Sequence, residues 1–195
     1  MIKLGITGGI GSGKSTICHI FRILGIPIYE SDARAKTLMD NSPIIQIKIK
    51  NTFGESIYRE DGSLDRKKLA NLVFNSPSLL DKLNEIVHPE VRKDFISWVN
   101  EQVSTPYVIQ ESAILFESGL HQIMDKTLTV AAPLSTRIER VIKRDQVSKK
   151  QVLERINNQM SDEQRIALAD FSICNGEKDL IVAQILKIDK ILQHG

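Results

Sequence analysis

The chain has 195 residues, of which 42% are hydrophobic and 26% charged, and its formal net charge is +2. This length supports one full hydrophobic core with smaller insertions, and the composition excludes a disordered chain. The first apolar stretch is interrupted by Lys3 and then by glycines, and no other run could span a bilayer. Cys18 and Cys174 lie far apart and predict two buried free thiols. We therefore expect a soluble cytoplasmic protein with no membrane partner.

The chain begins with the pattern of a strand, a glycine-rich loop and a helix. Apolar residues alternate with polar or small ones from Ile2 to Thr7, which predicts a strand. Apolar residues then recur at helical spacing from Lys14 to Leu24. Between the two patterns lie four glycines, Gly8, Gly9, Gly11 and Gly13.

Short runs rich in β-branched residues alternate with helical segments along the rest of the chain. The runs lie at 26–29, 107–109, 127–132 and 171–174. This alternation predicts an α/β fold with a parallel sheet covered by helices. Proline at the first helical position predicts helices that start at Pro43, Pro77 and Pro89. Two capping boxes predict further helix starts, at Ser148 with Gln151 and at Ser161 with Gln164.

Two segments are larger than a strand crossover requires. Residues 33–104 contain several predicted helices and an Asp61–Gly62 turn, and we expect them to form a substrate-side subdomain. Residues 134–165, called the lid segment below, contain eight Lys or Arg, five Asp or Glu and no aromatic residue. The missing aromatic residues argue against a nucleic-acid partner, because stacking of unpaired bases needs them. We expect this segment to form a basic helical flap.

The glycine-rich loop matches the Walker A pattern, with a glycine, four residues and then Gly-Lys-Ser. Backbone amides and the helix N-terminus would face the phosphates, the lysine would add a charge, and the Ser15 hydroxyl would ligate magnesium. The pattern therefore predicts that ATP with Mg²⁺ binds through Gly11, Ser12, Gly13, Lys14, Ser15 and Thr16. The guanine-specificity motif of GTPases is absent from the sequence, which weakens a GTPase interpretation.

Other polar residues leave alternatives open. Asp32 follows the second strand run and would either accept the proton of an attacking hydroxyl or act as the N-cap of a helix. Arg137, Arg140 and Arg144 share one helix face, which is either solvated or closes over the phosphoryl group. His88 is typical of a structural hydrogen-bonding residue. Two acids, Glu111 and Glu117, lie on either side of residues 113–116. Each could lie near magnesium or have a surface or capping role.

Taken together, these features resemble the dephospho-CoA kinase family along almost the whole chain. The Walker loop is shared by many families, whereas the ordered series of later motifs is specific to this one. The series comprises Thr7 to Ser15, Asp32, His88-Pro89, Ile114 to Glu117, Arg140, Arg144-Asp145, Arg155, Gln159, Ala169-Asp170 and Asn175-Gly176. This chain departs from the family at Glu30-Ser31-Asp32, where Asp-Ala-Asp is frequent, and at Ala113, where proline is frequent.

The resemblance implies a three-layer P-loop core made of residues 1–32, 105–133 and 166–195. Residues 33–104 would then receive the CoA part of the acceptor, and the lid segment would be mobile. The implied reaction is ATP-dependent phosphorylation of the ribose 3′-hydroxyl of dephospho-CoA. It implies catalytic roles for Asp32, Lys14, Arg140 and Arg144, nucleotide binding by Asn175, and substrate binding by Thr7, Asp32, His88 and Glu117.

Two other functions compete with this interpretation. A different small-molecule P-loop kinase, acting on a nucleotide or nucleoside, would use the same machinery with another acceptor. An ATP-dependent switch protein would hydrolyse ATP slowly and signal through the lid segment. Product formation with an added acceptor separates these functions.

We expect a monomer or a weak homo-oligomer.

Overall fold

The computed structural model describes residues 1–74 and 76–194. The chain divides into two compact units, a larger one formed by Met1–Glu30 and Gln102–Gly195 and a smaller one formed by Ser31–Glu101. Asn75 and Gly195, which belong to the predicted 33–104 and 166–195 segments, lie outside the described residues.

The larger unit is built on a five-stranded sheet in which every pair of neighbouring strands is parallel. Its strands are β1 (Ile2–Gly8), β2 (Ile28–Glu30), β3 (Tyr107–Glu111), β4 (Lys126–Ala131) and β5 (Phe171–Cys174). The spatial order is β2-β3-β1-β4-β5, so the strand that leads into the glycine-rich loop lies at the centre. The prediction of a parallel sheet is confirmed, and each predicted strand run is found within a few residues of its expected position.

α-Helices separate the strands along the described chain, except between β3 and β4, where only a 3₁₀ turn occurs. They are α1 (Lys14–Ile23), α2 (Ser31–Asn41), α3 (Pro43–Phe53), α4 (Arg66–Phe74), α5 (Pro77–Glu101), α6 (Leu134–Asp145), α7 (Lys149–Asn157), α8 (Asp162–Leu168) and α9 (Ile181–His194). Short 3₁₀ turns occur at Glu55–Ile57 and Leu120–Ile123. Both predicted capping boxes are present, at the starts of α7 and α8, and proline begins α3 and α5 as expected.

Helices cover both faces of the sheet, which gives three layers. On one face, Leu4 and Ile6 of β1 pack against the helix residues Ile17 and Phe21, and the cluster continues into α9. Burying each of these side chains contributes roughly 1.5–3 kcal/mol relative to exposure. Gly5 lies between Leu4 and Ile6 in the strand and so faces the other side of the sheet, and α8 contacts β4. Leu115 fills the space over Gly5 on that face, because a Cβ added there would lie 2.8 Å from Leu115 Cδ2.

The smaller unit has its own apolar cluster. Its buried members are Ile45, Ile49, Ile57, Tyr58, Leu64 and Leu69. The Tyr58 hydroxyl donates to the Met39 carbonyl at 2.8 Å, and burial raises the pKa of Tyr58 to about 12. The predicted Asp61–Gly62 turn is present, since the Arg59 amide donates to the Ser63 carbonyl at 2.9 Å and Gly62 has φ of +81°. An independent core explains how this insertion keeps its helices ordered.

Two predictions about local structure are wrong. Pro89 does not start a helix; it lies inside α5, which begins at Pro77. The buried residues Val87, Val91 and Phe95 hold the helix on both sides of the proline, so packing outweighs the backbone hydrogen bond that Pro89 cannot donate. Cys174 is a free thiol as expected but is exposed, because in β5 the side of Ile173 is buried whereas Ser172 and Cys174, on the opposite side of the strand, are exposed. Cys18 is buried, and burial raises its pKa to about 11.

Candidate active site

The Walker loop joins the end of β1 to the first residue of α1, Lys14, as the sequence predicts. Two of its glycines adopt left-handed conformations that L-residues rarely take, since φ is +78° at Gly11 and +89° at Gly13. The Ser12 amide donates to the Gly9 carbonyl at 3.0 Å, which closes the turn. This conformation leads the chain into the N-terminus of α1, and the N-terminus of a helix is a favourable position for an anion.

Lys14 forms a close ion pair with Glu111, the last residue of β3. The pairing follows from strand order, because β3 lies beside β1 and Glu111 is in register with Ile6. The exposed fractions of the two side chains are only 15% and 13%, so the charges interact with little solvent between them. Of the two acids whose roles the sequence left open, Glu111 therefore belongs to the P-loop site.

Asn175 and Arg140 also reach the P-loop. Asn175 follows β5 directly, and its side-chain amide donates to the Ser12 carbonyl at 2.7 Å. The Arg140 guanidinium donates to the Asn175 carbonyl at 3.0 Å and to the carbonyls of Gly11 and Ser12 at 3.4 Å each. Helix α6 and the loop after β5 are thus joined to the same backbone segment of the Walker loop.

The three arginines of α6 have three different environments. The side chain of Arg137 is buried and that of Arg140 contacts the P-loop, whereas the Arg144 side chain is 63% exposed. Arg144 pairs with Asp145 at 2.7 Å, and Asp145 also accepts from Arg155 at 2.9 Å. The hydrogen bond from Arg144 lowers the pKa of Asp145. The solvated-face interpretation therefore describes Arg144 in this conformation and does not describe the other two.

Glu117 contacts the lid segment, whereas Thr7 is a residue of β1. Glu117 Oε1 accepts from the Met160 amide at 3.4 Å and lies 3.9 Å from Nη2 of the fully buried Arg165. Burial lowers the pKa of Arg165, and the nearby carboxylates oppose that shift. Thr7 is also fully buried, and its hydroxyl makes no hydrogen bond within the described residues. In this conformation Glu117 therefore contacts Met160 and Arg165 of the lid segment.

Asp32 and His88 belong to the smaller unit. Helix α2 begins at Ser31, so Asp32 is its second residue, and the N-cap alternative does not describe it. As an acidic residue in the first turn, Asp32 has a favourable interaction with the helix dipole. His88 lies within α5, where burial and the charge of Arg92 lower its pKa.

Two cavities open beside the loop that follows Asn175, and Pro133 and Asp179 border both. The larger, about 820 Å³, is also lined by Arg137 and Gln159. The smaller, about 420 Å³, lies between the α6 residues 135–139 and the loop residues 176–179. Both volumes fall in the range of small-molecule sites. Among the described residues, none of 8–15 lines either cavity, and the larger one adjoins the Walker loop through Arg137 and Gln159, which bond to Ile10.

Comparison with known proteins identifies the family. A family model described as dephospho-CoA kinase matches residues 2–179. The chain belongs to the dephospho-CoA kinase family. It is 44% identical over 190 residues to the dephospho-CoA kinase of Porphyromonas gingivalis, and this alignment covers 96% of this chain and 93% of that relative.

Solved structures agree with the fold of this family. The crystal structure of TT1252 from Thermus thermophilus aligns with a TM-score of 0.83 and 35% identity, covering 99% of this chain and 96% of that one. The dephospho-CoA kinase from Campylobacter jejuni aligns with a TM-score of 0.71 over 99% and 98% of the chains. Its identity is 24%, so this second similarity shows the fold alone.

Sequence reasoning missed the residues that hold the tip of the Walker loop. The Ile10 amide donates to Gln159 Oε1 at 2.8 Å, and the Ile10 carbonyl accepts from Arg137 Nε at 3.0 Å. Gln159 occurs among the family motifs, but only the folded structure shows its partner. In the part of the chain that the structure describes, no cluster of three or more His, Cys, Asp or Glu could hold a metal ion. Among the same residues, no helix combines the length and apolar character needed to cross a membrane.

Proposed function

We propose that this chain transfers the γ-phosphoryl group of ATP to the ribose 3′-hydroxyl of dephospho-CoA, which yields coenzyme A and ADP. The observation that carries the proposal is the match to the dephospho-CoA kinase family over residues 2–179. The P-loop alone would fix only the class of ligand, because unrelated activities share it. A family match that extends across the strands, the insertion and the lid segment specifies the acceptor as well.

The proposed ATP site uses the Walker loop of the larger unit. The Walker-loop residues Gly11, Ser12 and Gly13, together with the N-terminal residues Lys14, Ser15 and Thr16 of α1, would surround the phosphates. Lys14 would exchange part of its ion pair with Glu111 for the β- and γ-phosphate oxygens. Asn175 would hold the adjoining loop in place through its hydrogen bond to Ser12. These contacts stabilise charge at the transferred group and need no covalent intermediate.

The residues present suit a magnesium ion bound together with ATP. Ser15 offers a hydroxyl oxygen beside Lys14, and Glu111 offers a carboxylate at the end of the neighbouring strand. Such oxygen donors are the ligands that Mg²⁺ prefers, and it takes its remaining ligands from phosphates and water. When bound, the ion would neutralise charge that develops on the phosphate oxygens.

Asp32 is the proposed residue that orients the attacking 3′-hydroxyl and accepts its proton. The support is its position two residues beyond the end of β2, because catalytic side chains of parallel sheets lie at the carboxyl ends of strands. The smaller unit, with His88, is the proposed binding region for the CoA part of the acceptor. Thr7 and Glu117 are proposed to contribute to acceptor binding from the larger unit.

The lid segment is proposed to supply Arg140 and Arg144 to the transferred phosphoryl group. Arg140 already contacts P-loop carbonyls, so a small shift of its guanidinium would bring it to a bound phosphate. Arg144 would have to leave Asp145 first. The two residues therefore differ in how much rearrangement the reaction requires of them, and Arg144 depends more on closure of the lid segment.

Product analysis with and without acceptor tests the proposed function. The purified protein is incubated with ATP and Mg²⁺, alone or with dephospho-CoA, and ADP and coenzyme A are quantified. The proposal predicts equal amounts of ADP and coenzyme A, and little ADP without acceptor. Release of ADP and phosphate at the same rate in both incubations would contradict a kinase function and favour a switch protein.

A further inference from the structure

Ile10, at the tip of the Walker loop, is attached to the lid segment through every group that it has. Its amide donates to Gln159 Oε1 at 2.8 Å, and its carbonyl accepts from Arg137 Nε at 3.0 Å. Its side chain packs into a small apolar cluster of the lid segment, whose buried members are Ile138, Val141 and Val152. Neither backbone group of Ile10 therefore depends on water or on the loop itself for its hydrogen bond.

Arg137 is fixed on its other side as well. It is only 5% exposed, and its Nη1 donates to Asp162 Oδ2 at 2.8 Å. Asp162 also accepts from Arg165 at 3.0 Å. Removing such charges from water is costly unless hydrogen bonds satisfy them, and this arrangement satisfies the carboxylate twice. The guanidinium also occupies the space over Gly9, where an added Cβ would lie 2.7 Å from Arg137 Cζ.

We infer that Gln159 and Arg137 are positioning residues that hold the Walker loop in its phosphate-binding conformation before ATP arrives. The inference rests on the proposed function only in that the P-loop binds ATP. A ligand binds more weakly when the competent conformation is only partly populated, by the factor of that population. The contacts at Ile10 remove this loss. They also couple the loop tip to the lid segment: closure of that segment either carries the loop tip along or breaks these three attachments.

The decisive variant is Gln159→Met, which keeps the length of the side chain but removes the strong acceptor for the Ile10 amide. The matched control is Gln164→Met. Gln164 is another lid-segment glutamine, and among the described residues its hydrogen bonds belong to the capping box of α8 with Ser161. Both variants lose a local hydrogen bond, but only Gln159→Met loses one to the Walker loop. A general loss of stability would affect the two alike.

Two measurements on the ligand-free chain and its ATP complex test the inference. For Gln159→Met we expect the dissociation constant of ATP to rise about tenfold, equivalent to about 1.4 kcal/mol. Hydrogen exchange of peptides spanning residues 8–13 should also accelerate in the ligand-free variant. Gln164→Met should change neither quantity. Wild-type affinity and exchange in Gln159→Met, or equal changes in both variants, would overturn the inference.

Arg137→Met provides a second arm, in which Asp162 keeps its pair with Arg165. We expect this variant to bind ATP more weakly than the wild type. In the double variant with Gln159→Met, the rise in the dissociation constant should be smaller than the product of the two single rises, because both side chains act on Ile10. Fully multiplicative effects would contradict a shared action. If Arg137→Met does not fold, the comparison of Gln159→Met with Gln164→Met still tests the inference. Neither measurement needs an acceptor. The inference can therefore fail while the proposed function stands, and the proposed function can fail while the inference stands.

Discussion

Gly11→Ala should both destabilise the chain and damage nucleotide binding. Gly11 has φ of +78°, a conformation that costs an L-residue about 1–2 kcal/mol. An added Cβ would also lie 2.5 Å from the Arg137 carbonyl oxygen and 3.0 Å from the Arg137 Cα. These are backbone atoms of α6, so no side-chain rotation relieves the contact. Overpacking of this kind typically costs about 1–3 kcal/mol, which brings the expected total to roughly 2–5 kcal/mol.

Gly25→Ala is the matched control for backbone strain alone. Gly25 has a similar φ of +84°, but nothing lies within 4 Å of an added Cβ. We expect a cost of only about 1–2 kcal/mol at this position. The difference between the two variants therefore isolates the contact between the Walker loop and α6.

Urea unfolding and ATP titration measure the two effects. Gly11→Ala should lower the free energy of unfolding by about 1–3 kcal/mol more than Gly25→Ala, and it alone should weaken ATP binding. If the two variants were equally stable and bound ATP equally well, the close approach of α6 to the Walker loop would not exist in solution.

Three further predictions concern single residues. Lys14→Ala should lower turnover at least about a hundredfold because the lysine stabilises phosphate charge, and it should also lower the melting temperature because Glu111 loses its partner in a little-exposed ion pair; near-normal turnover would contradict this. Asp32→Asn should cause a similar loss while ATP titration shows retained binding, since the amide cannot accept a proton; a loss confined to stability would indicate a structural role. The lowered pKa of His88 means that the unfolded chain takes up this proton first as pH falls, so stability should decrease below about pH 6.5 by at most about 1.4 kcal/mol per pH unit. In His88→Gln the free energy of unfolding, measured with urea, should depend less on pH in this range. An unchanged pH dependence would contradict the attribution of this effect to His88.

The elements that sequence reasoning predicted well depend on local patterns. The alternation from Ile2 and the glycines before Lys14 specify strand, loop and helix within a short stretch, so neighbours along the chain decide the outcome. Pro89 shows the limit of such patterns. Proline is typical of a helix start, but buried residues on both sides of it keep α5 continuous.

The parts of the site that could not be predicted depend on pairs that are distant in sequence. Ile10 and Gln159 are 149 residues apart, and Ile10 and Arg137 are 127 apart. The pairing of Lys14 with Glu111 requires β3 to lie beside β1, and alternating patterns do not give strand order. The spacing of the α6 arginines placed them on one helix but gave no information on which would be buried.

The most direct test of the account is the specificity constant, kcat/KM, measured for a panel of acceptors with purified protein, ATP and Mg²⁺. The panel contains dephospho-CoA, AMP, CMP and adenosine. Binding energy from the remote pantetheine arm can orient the reacting hydroxyl, so truncated acceptors should lose turnover as well as affinity. We expect dephospho-CoA to be preferred at least about a hundredfold, equivalent to about 2.7 kcal/mol, with coenzyme A as the product. Equal or better use of any nucleoside monophosphate or of adenosine would contradict the assignment of the acceptor.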